Sequence, residues 1–170
     1  MFHAFDNPET GGTTRADWLA LLARASVDAL EAGLGAHAAT PTHWLRAPET
    51  GLMMVQGRAS GTGERFNLGE VTVTRCALRL ASPHVPSANT VGVAYVLGRV
   101  HKQARLAAVA DALLQDPAHR PQLDASLLQP IRQALTRQRT QRAADVAATK
   151  VEFFTVAREA GATAQEEDGE

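Results

Sequence analysis

The stretch GLMMVQGRASGTGERFNLGEVTVTRCALRLA, residues 51–81, sets two apolar runs on either side of a glycine-rich centre. Two folds hang on how its middle, SGTGERFNLGEVTVTR (60–75), is read. As a phosphate-cradling loop it would open a helix in a parallel α/β sheet. As a hairpin turn it would join two antiparallel strands. Gly61, Gly63 and Gly69 do not make GxGxxG, because position 66 is Phe, and no Lys-Ser or Lys-Thr comes after them. Residues 70–81 carry the alternation of a strand, so the aligned amides of a helix N-terminus are missing. The stretch reads as a glycine-rich hairpin, with Gly61 and Gly63 free to take positive φ and Gly69 just before the second strand. The connection is longer than a tight turn and is expected to project from the sheet edge, with Glu64 and Arg65 exposed.

The strands flanking the hairpin are 51–60 and 70–81. In the second, Val71 and Val73 are odd-numbered while Cys76, Leu78 and Leu80 are even-numbered. Either both faces are partly covered, or a bulge near Thr74 and Arg75 flips the register. Upstream, Pro41 and Pro48 bracket THWLRA as a short extended piece. Downstream, past a proline-containing loop (82–90), VGVAYVLGRV (91–100) is apolar almost throughout, as a central strand would be. The links between strands are too short for crossover helices, so the sheet is expected to be antiparallel, with about three or four strands.

Helices surround this sheet in sequence. TTRADWLALLARASVDALEAG (13–33) reads as one helix capped by Thr14, with Asp17 three residues on, and stopped by Gly33. In KQARLAAVADALLQD (102–116), Leu106, Val109, Ala110, Leu113 and Leu114 make a packed stripe. Pro130 is placed to open a long last helix running to about Arg158. Its middle, TRQRTQR (136–142), is wholly polar, and VEFFTV beyond it is apolar around much of its circumference. Arg139, Phe153 and Phe154 are therefore candidates for contact with a partner, the alternatives being that the polar middle is fully solvated and that the aromatic end docks on its own sheet. The reading is an α+β domain over 1–158, with a loose arm at 1–12 and a disordered acidic tail at 159–170.

The chain has 170 residues, 45% apolar and 21% charged, with a formal net charge of −1. Five acidic residues fall in the tail, leaving 17 basic against 13 acidic residues before it, a net of +4. That permits an anionic ligand but is modest for a nucleic-acid binder. No apolar run is long enough for a membrane span, and the N-terminus lacks a basic region followed by an apolar stretch, so a cytoplasmic location is expected. The single cysteine, Cys76, excludes an internal disulfide and reads as a core residue.

No residue pattern supplies a reaction. The six histidines show no HxH or HxxxH spacing, and no Ser-His-Asp or Cys-His arrangement is visible. No metal or cofactor is expected on this chain, and no catalytic residue is assigned. The arginines permit one geometric inference. Arg75 and Arg79 point to one side of their strand. Pairing of the two strands would bring Arg58, Arg65 and Arg75 towards one end of the sheet, where an anion or a carboxylate would relieve their repulsion. Gly61, Thr62, Gly63, Arg65, Arg75 and Arg99 are the candidate anion-binding residues.

Four segments in order, RAPETGLMMVQGRASGTGERFNLGEVTVTRCALRL (46–80), YVLGR (95–99), DALLQ (111–115) and TKVEFFTVAR (149–158), resemble the PhnG family, the G subunit of bacterial carbon–phosphorus lyase. The resemblance covers most of residues 14–158. It implies a place in phosphonate use, in a core of G, H, I and J subunits with two copies of each. It implies a first step that joins an alkylphosphonate to the ribose C1′ of ATP, releases adenine and leaves a ribose 1-phosphonate 5-triphosphate. In that family the I subunit is regarded as the catalyst, with G, H and L required to direct it. ATP and the phosphonate are then substrates of the complex rather than cofactors of this chain. The resemblance leaves two alternative roles: assembly and shaping of a neighbour's active site, or direct binding of triphosphate or phosphonate by the 61–65 loop and nearby arginines.

Overall fold

A computed structural model describes residues 14–59, 62–81 and 90–151. The elements run α1 (Arg15–Leu22), α2 (Val27–Leu34), a 3-10 turn (Gly35–Ala39), β1 (Thr42–Arg58), β2 (Arg65–Leu80), β3 (Val91–Leu97), α3 (His101–Leu114), α4 (Arg120–Leu123), a π-helical turn (Asp124–Leu128) and α5 (Gln129–Ala148). The three strands form one antiparallel sheet in the order β1-β2-β3. The fold is α+β, with helices on one face of the sheet.

The central helix is α3. Ala104 and every residue from Leu106 to Leu114 are buried, because the sheet lies on one side of α3 and α1, α2 and α4 lie on the others. The expected stripe of Leu106, Val109, Ala110, Leu113 and Leu114 is therefore only part of its buried surface. Gly92 lets this helix sit close to β3: a Cβ there would overlap the Ala108 carbonyl oxygen. Even-numbered residues of β2 (Thr74, Cys76, Leu78, Leu80) and of β3 (Gly92, Ala94, Val96) are buried.

Asp111 ties the layers together. Its fully buried carboxylate accepts hydrogen bonds from Arg15 Nε (3.1 Å) and Nη2 (2.7 Å), Trp18 Nε1 (2.9 Å) and the Val93 amide (2.9 Å). One side chain thus joins α1, α3 and the open edge of β3. Arg15 and Gln115 both donate to the Val91 carbonyl on that same edge.

Several expectations are corrected. The first helix is two: Thr14 caps α1 through a reciprocal bond with Asp17, but the chain turns after Leu22 and Ser26 caps α2 by accepting from the Ala29 amide. Gly33 lies inside α2, facing Leu127. The expected piece 42–47 and the expected strand 51–60 are joined in one 17-residue strand that ends at Arg58 and carries Pro48 at an irregularity on the sheet edge, where a missing amide proton breaks no ladder bond. β2 itself carries no bulge at Thr74 and Arg75, where its pairing with β3 is continuous; the neighbouring irregularity, between Arg46 and Glu49, puts its extra residue on β1. Val73 and Thr74 are both buried, so both faces of β2 are partly covered. The irregularity on β2 falls at Leu68–Gly69 instead, and Gly69 lies within the strand. The apolar strand β3 is an edge, not the centre: its edge groups are met by Asp111, Arg15 and Gln115 in place of a fourth strand. The last helix ends at Ala148, short of Arg158. The arm, the acidic tail and most of the 82–90 loop lie outside the described residues.

Replacing Asp111 with Ala strands the Trp18 and Val93 N–H groups and leaves Arg15 unpaired. The expected loss is about 3–5 kcal/mol of unfolding free energy in urea. A loss below about 1 kcal/mol would show that Asp111 does not hold the layers.

Candidate functional site

Among the described residues, the distal half of the hairpin stands outside the buried core. The sheet is three strands wide only where β3 runs, along 73–79 of β2. Beyond Val73, β1 and β2 continue as a two-stranded ribbon from Gly51↔Val73 to Arg58↔Arg65. Leu52, Met53, Met54, Phe66 and Leu68 are all exposed on it, Leu52 at 67% and Leu68 at 58%. Strand alternation sorts them onto two faces. Leu52 and Met54 share the face of the Thr50–Thr74 pair. Met53 and Phe66 lie on the opposite one, with the Leu68 side chain against Gly57. The latter face continues into exposed Tyr95 and Leu97 of β3.

The ribbon joins the body at a polar hub. Buried Thr74 donates to the Gly98 carbonyl (2.6 Å) and accepts from the Val100 amide (3.0 Å). Its hydroxyl also lies 3.2 Å from that of Thr50, which is 3.0 Å from His101 Nε2. VTVTR and YVLGR, distant in sequence, are thereby locked together, with Gly98 at φ 91° turning the chain from β3 into α3.

The candidate arginines separate along the ribbon and its root. Arg58 and Arg65 are directly opposed at the ribbon end. Arg75 lies ten residues along β2, about 33 Å away at the rise of a strand, so the expected cluster of three does not form. Instead Arg75 donates to Glu49 Oε1 (2.8 Å), which Arg46 also reaches at 2.7 Å. Those two arginines hold the Glu49 carboxyl below its ordinary range, Arg75 contributing first. Arg99 is exposed in the turn before α3. Thr62 and Gly63 stand at the tip, where Arg58 Nη1 donates to the Gly63 carbonyl (3.0 Å) and the Gly63 amide bonds Ala59. Gly61 lies outside the described residues, as do Phe153 and Phe154. Arg139 sits on the exposed length of α5, which runs about 20 Å past Leu135.

Among the described residues the arrangement offers exposed apolar and basic surfaces. Among the described residues no group of three His, Cys, Asp or Glu could hold a metal. The Cys76 thiol is buried, donates to the Ala104 carbonyl (3.3 Å) and is pushed up to about 11 by desolvation, so it is no nucleophile at neutral pH. No described helix is long and apolar enough to cross a membrane. Sequence reasoning missed the ribbon's apolar faces and the Thr50–Thr74–His101 hub. The signal for the first was present: LMMV and RFNL lack the polar alternation of a solvated strand.

The sequence profile of the family described as "Phosphonate metabolism protein PhnG" matches residues 13–159. A relative from Rhizobium meliloti (strain 1021), named "Alpha-D-ribose 1-methylphosphonate 5-triphosphate synthase subunit PhnG", is 40% identical over 159 residues. That alignment spans 93% of this chain and 97% of the relative.

The depressed Glu49 carboxyl stabilises the fold above its unfolded pKa, and that contribution is lost as pH falls through the lower folded value. Arg75→Ala should raise the Glu49 pKa towards the ordinary carboxylate value in a side-chain NMR titration. An unchanged value would show that the Arg75–Glu49 contact is not maintained in solution.

Proposed function

Because this chain belongs to the PhnG family of phosphonate metabolism proteins, we propose that it works as an accessory subunit of a ribose 1-methylphosphonate 5-triphosphate synthase. The reaction joins an alkylphosphonate to C1′ of the ATP ribose with release of adenine. The observation that carries this reading is the 40% identity across nearly the full length of a relative named as a subunit of that synthase. The companions are the H, I and J subunits of carbon–phosphorus lyase, with two copies of each in the core and the L subunit acting with them in the cytoplasm. Bond making belongs to a companion, and this chain shapes and holds the companion's site. The inert Cys76 thiol and the large apolar area on the ribbon both support a role in assembly.

A second reading, direct binding of triphosphate or phosphonate, is favoured by one feature. Arg58 and Arg65 oppose each other at the ribbon end beside Thr62 and Gly63. Arg75 fits that reading less well, since Glu49 already neutralises it.

Reconstitution of the companion subunits with ATP and methylphosphonate, with and without this chain, tests the proposal through adenine release. Omission should lower the rate at least tenfold, and adding the chain back should restore it. An equal rate without the chain would refute the accessory role.

A further inference from the structure

The geometry points to the β1–β2 ribbon as an arm that a companion subunit clasps on both faces, with carboxylates of that companion receiving its tip. This rests on the reading of the chain as a synthase subunit and deepens it by naming the surface and the chemistry of its occupant.

Three observations carry it. Large apolar side chains are exposed on both faces of the ribbon: Leu52 and Met54 on one, Met53 and Phe66 on the other. Contiguous exposed apolar area of this kind marks a protein interface. The form of the arm then selects the occupant. A second copy of this chain pairing edge to edge along β1 would extend the sheet and leave both faces in water. A flat partner would cover one face only. Burial of both requires a concave partner, with an apolar cleft the width of two strands.

Charge complementarity supplies the third. Arg58 and Arg65 are exposed cross-strand partners on the Leu52 and Met54 face. Like charges directly opposite one another destabilise a strand pair. Among the described residues no carboxylate lies in ion-pair reach of either arginine, although Glu64 is adjacent in sequence. The charge that balances this pair comes from the occupant. Arginine suits the task because its planar fork engages a carboxylate through two parallel bonds. The occupant is thus an apolar cleft with an acidic end.

The test uses the full chain co-expressed with the H, I and J subunits, with affinity measured for three double variants. These are Leu52→Ser with Met54→Ser, Met53→Ser with Phe66→Ser, and Arg58→Glu with Arg65→Glu. Each should weaken assembly at least tenfold, with the melting temperature of the isolated chain within about 2 °C of wild type, since these side chains lie outside the buried core. A variant of the companion carrying Lys in place of its tip-facing carboxylates should recover affinity for the Arg58→Glu, Arg65→Glu chain. Weakening by only one of the two apolar pairs would overturn the clasp in favour of a one-faced contact. Normal assembly of all three variants would overturn the ribbon as the docking element while leaving the subunit reading intact. Failure of the wild-type chain to assemble would sink both. Normal assembly of the arginine variant with lost ATP binding would assign the tip to nucleotide and overturn the carboxylate partner.

Discussion

The Asp111 carboxylate is the interaction on which the rest of this structure depends. It sits within the buried run Leu106–Leu114 of α3, where its neighbours are alanine, valine and leucine and an uncompensated charge would cost several kcal/mol. Four donor contacts answer it, from the guanidinium and indole of α1 and from an amide of β3. Without the acid the Trp18 and Val93 N–H groups would themselves be stranded. A sheet of only three strands has an edge to protect on each side, and Asp111 protects the β3 edge while seating the first helix against the third. Trp18 also faces Arg120, whose guanidinium lies 5.0 Å from the ring centroid, so the same anchor reaches the C-terminal helices.

With one end of the sheet fixed in this way, the other end is free to leave the body. Thr74 marks the transition: on one side of it β2 is covered by α3, and on the other the hairpin runs on with none of the described helices above it. The hub of Thr50, Thr74, Gly98 and His101 stiffens the root of the ribbon, as suits an arm presented to another molecule. Preorganised elements lose less entropy on binding than loose ones. The protein therefore divides its labour along the length of two strands: β1 and β2 contribute to the core at one end and to a surface at the other.

Much of this was legible in the residues and some was not, for identifiable reasons. The hairpin and its antiparallel partners came from glycine placement and short links. The burial of Cys76, the shared side of Arg75 and Arg79, and the Thr14 cap came from parity and capping chemistry. The break between α1 and α2 was missed because the apolar stripe continues across it, although Ser26 before Val27 and Asp28 offered a second cap. Apolar content placed β3 at the centre, whereas side-chain caps from Asp111 and Gln115 allow an apolar strand to stand at an edge. Arg58, Arg65 and Arg75 were grouped because strand pairing brings Arg58 to Arg65; the length of β2 then carries Arg75 far from both. Asp111 itself gave no signal beyond being a lone acid among alanines and leucines, and its partners lie 96 and 18 residues away.

Hydrogen–deuterium exchange on the chain alone and in its complex tests the division between core and arm most directly. The account predicts that α3 amides are slow to exchange in both states, while 51–58 and 65–72 exchange fast in the free chain and become protected on assembly. Protection gained instead along α1 and α2, with the ribbon still fast in the complex, would contradict it.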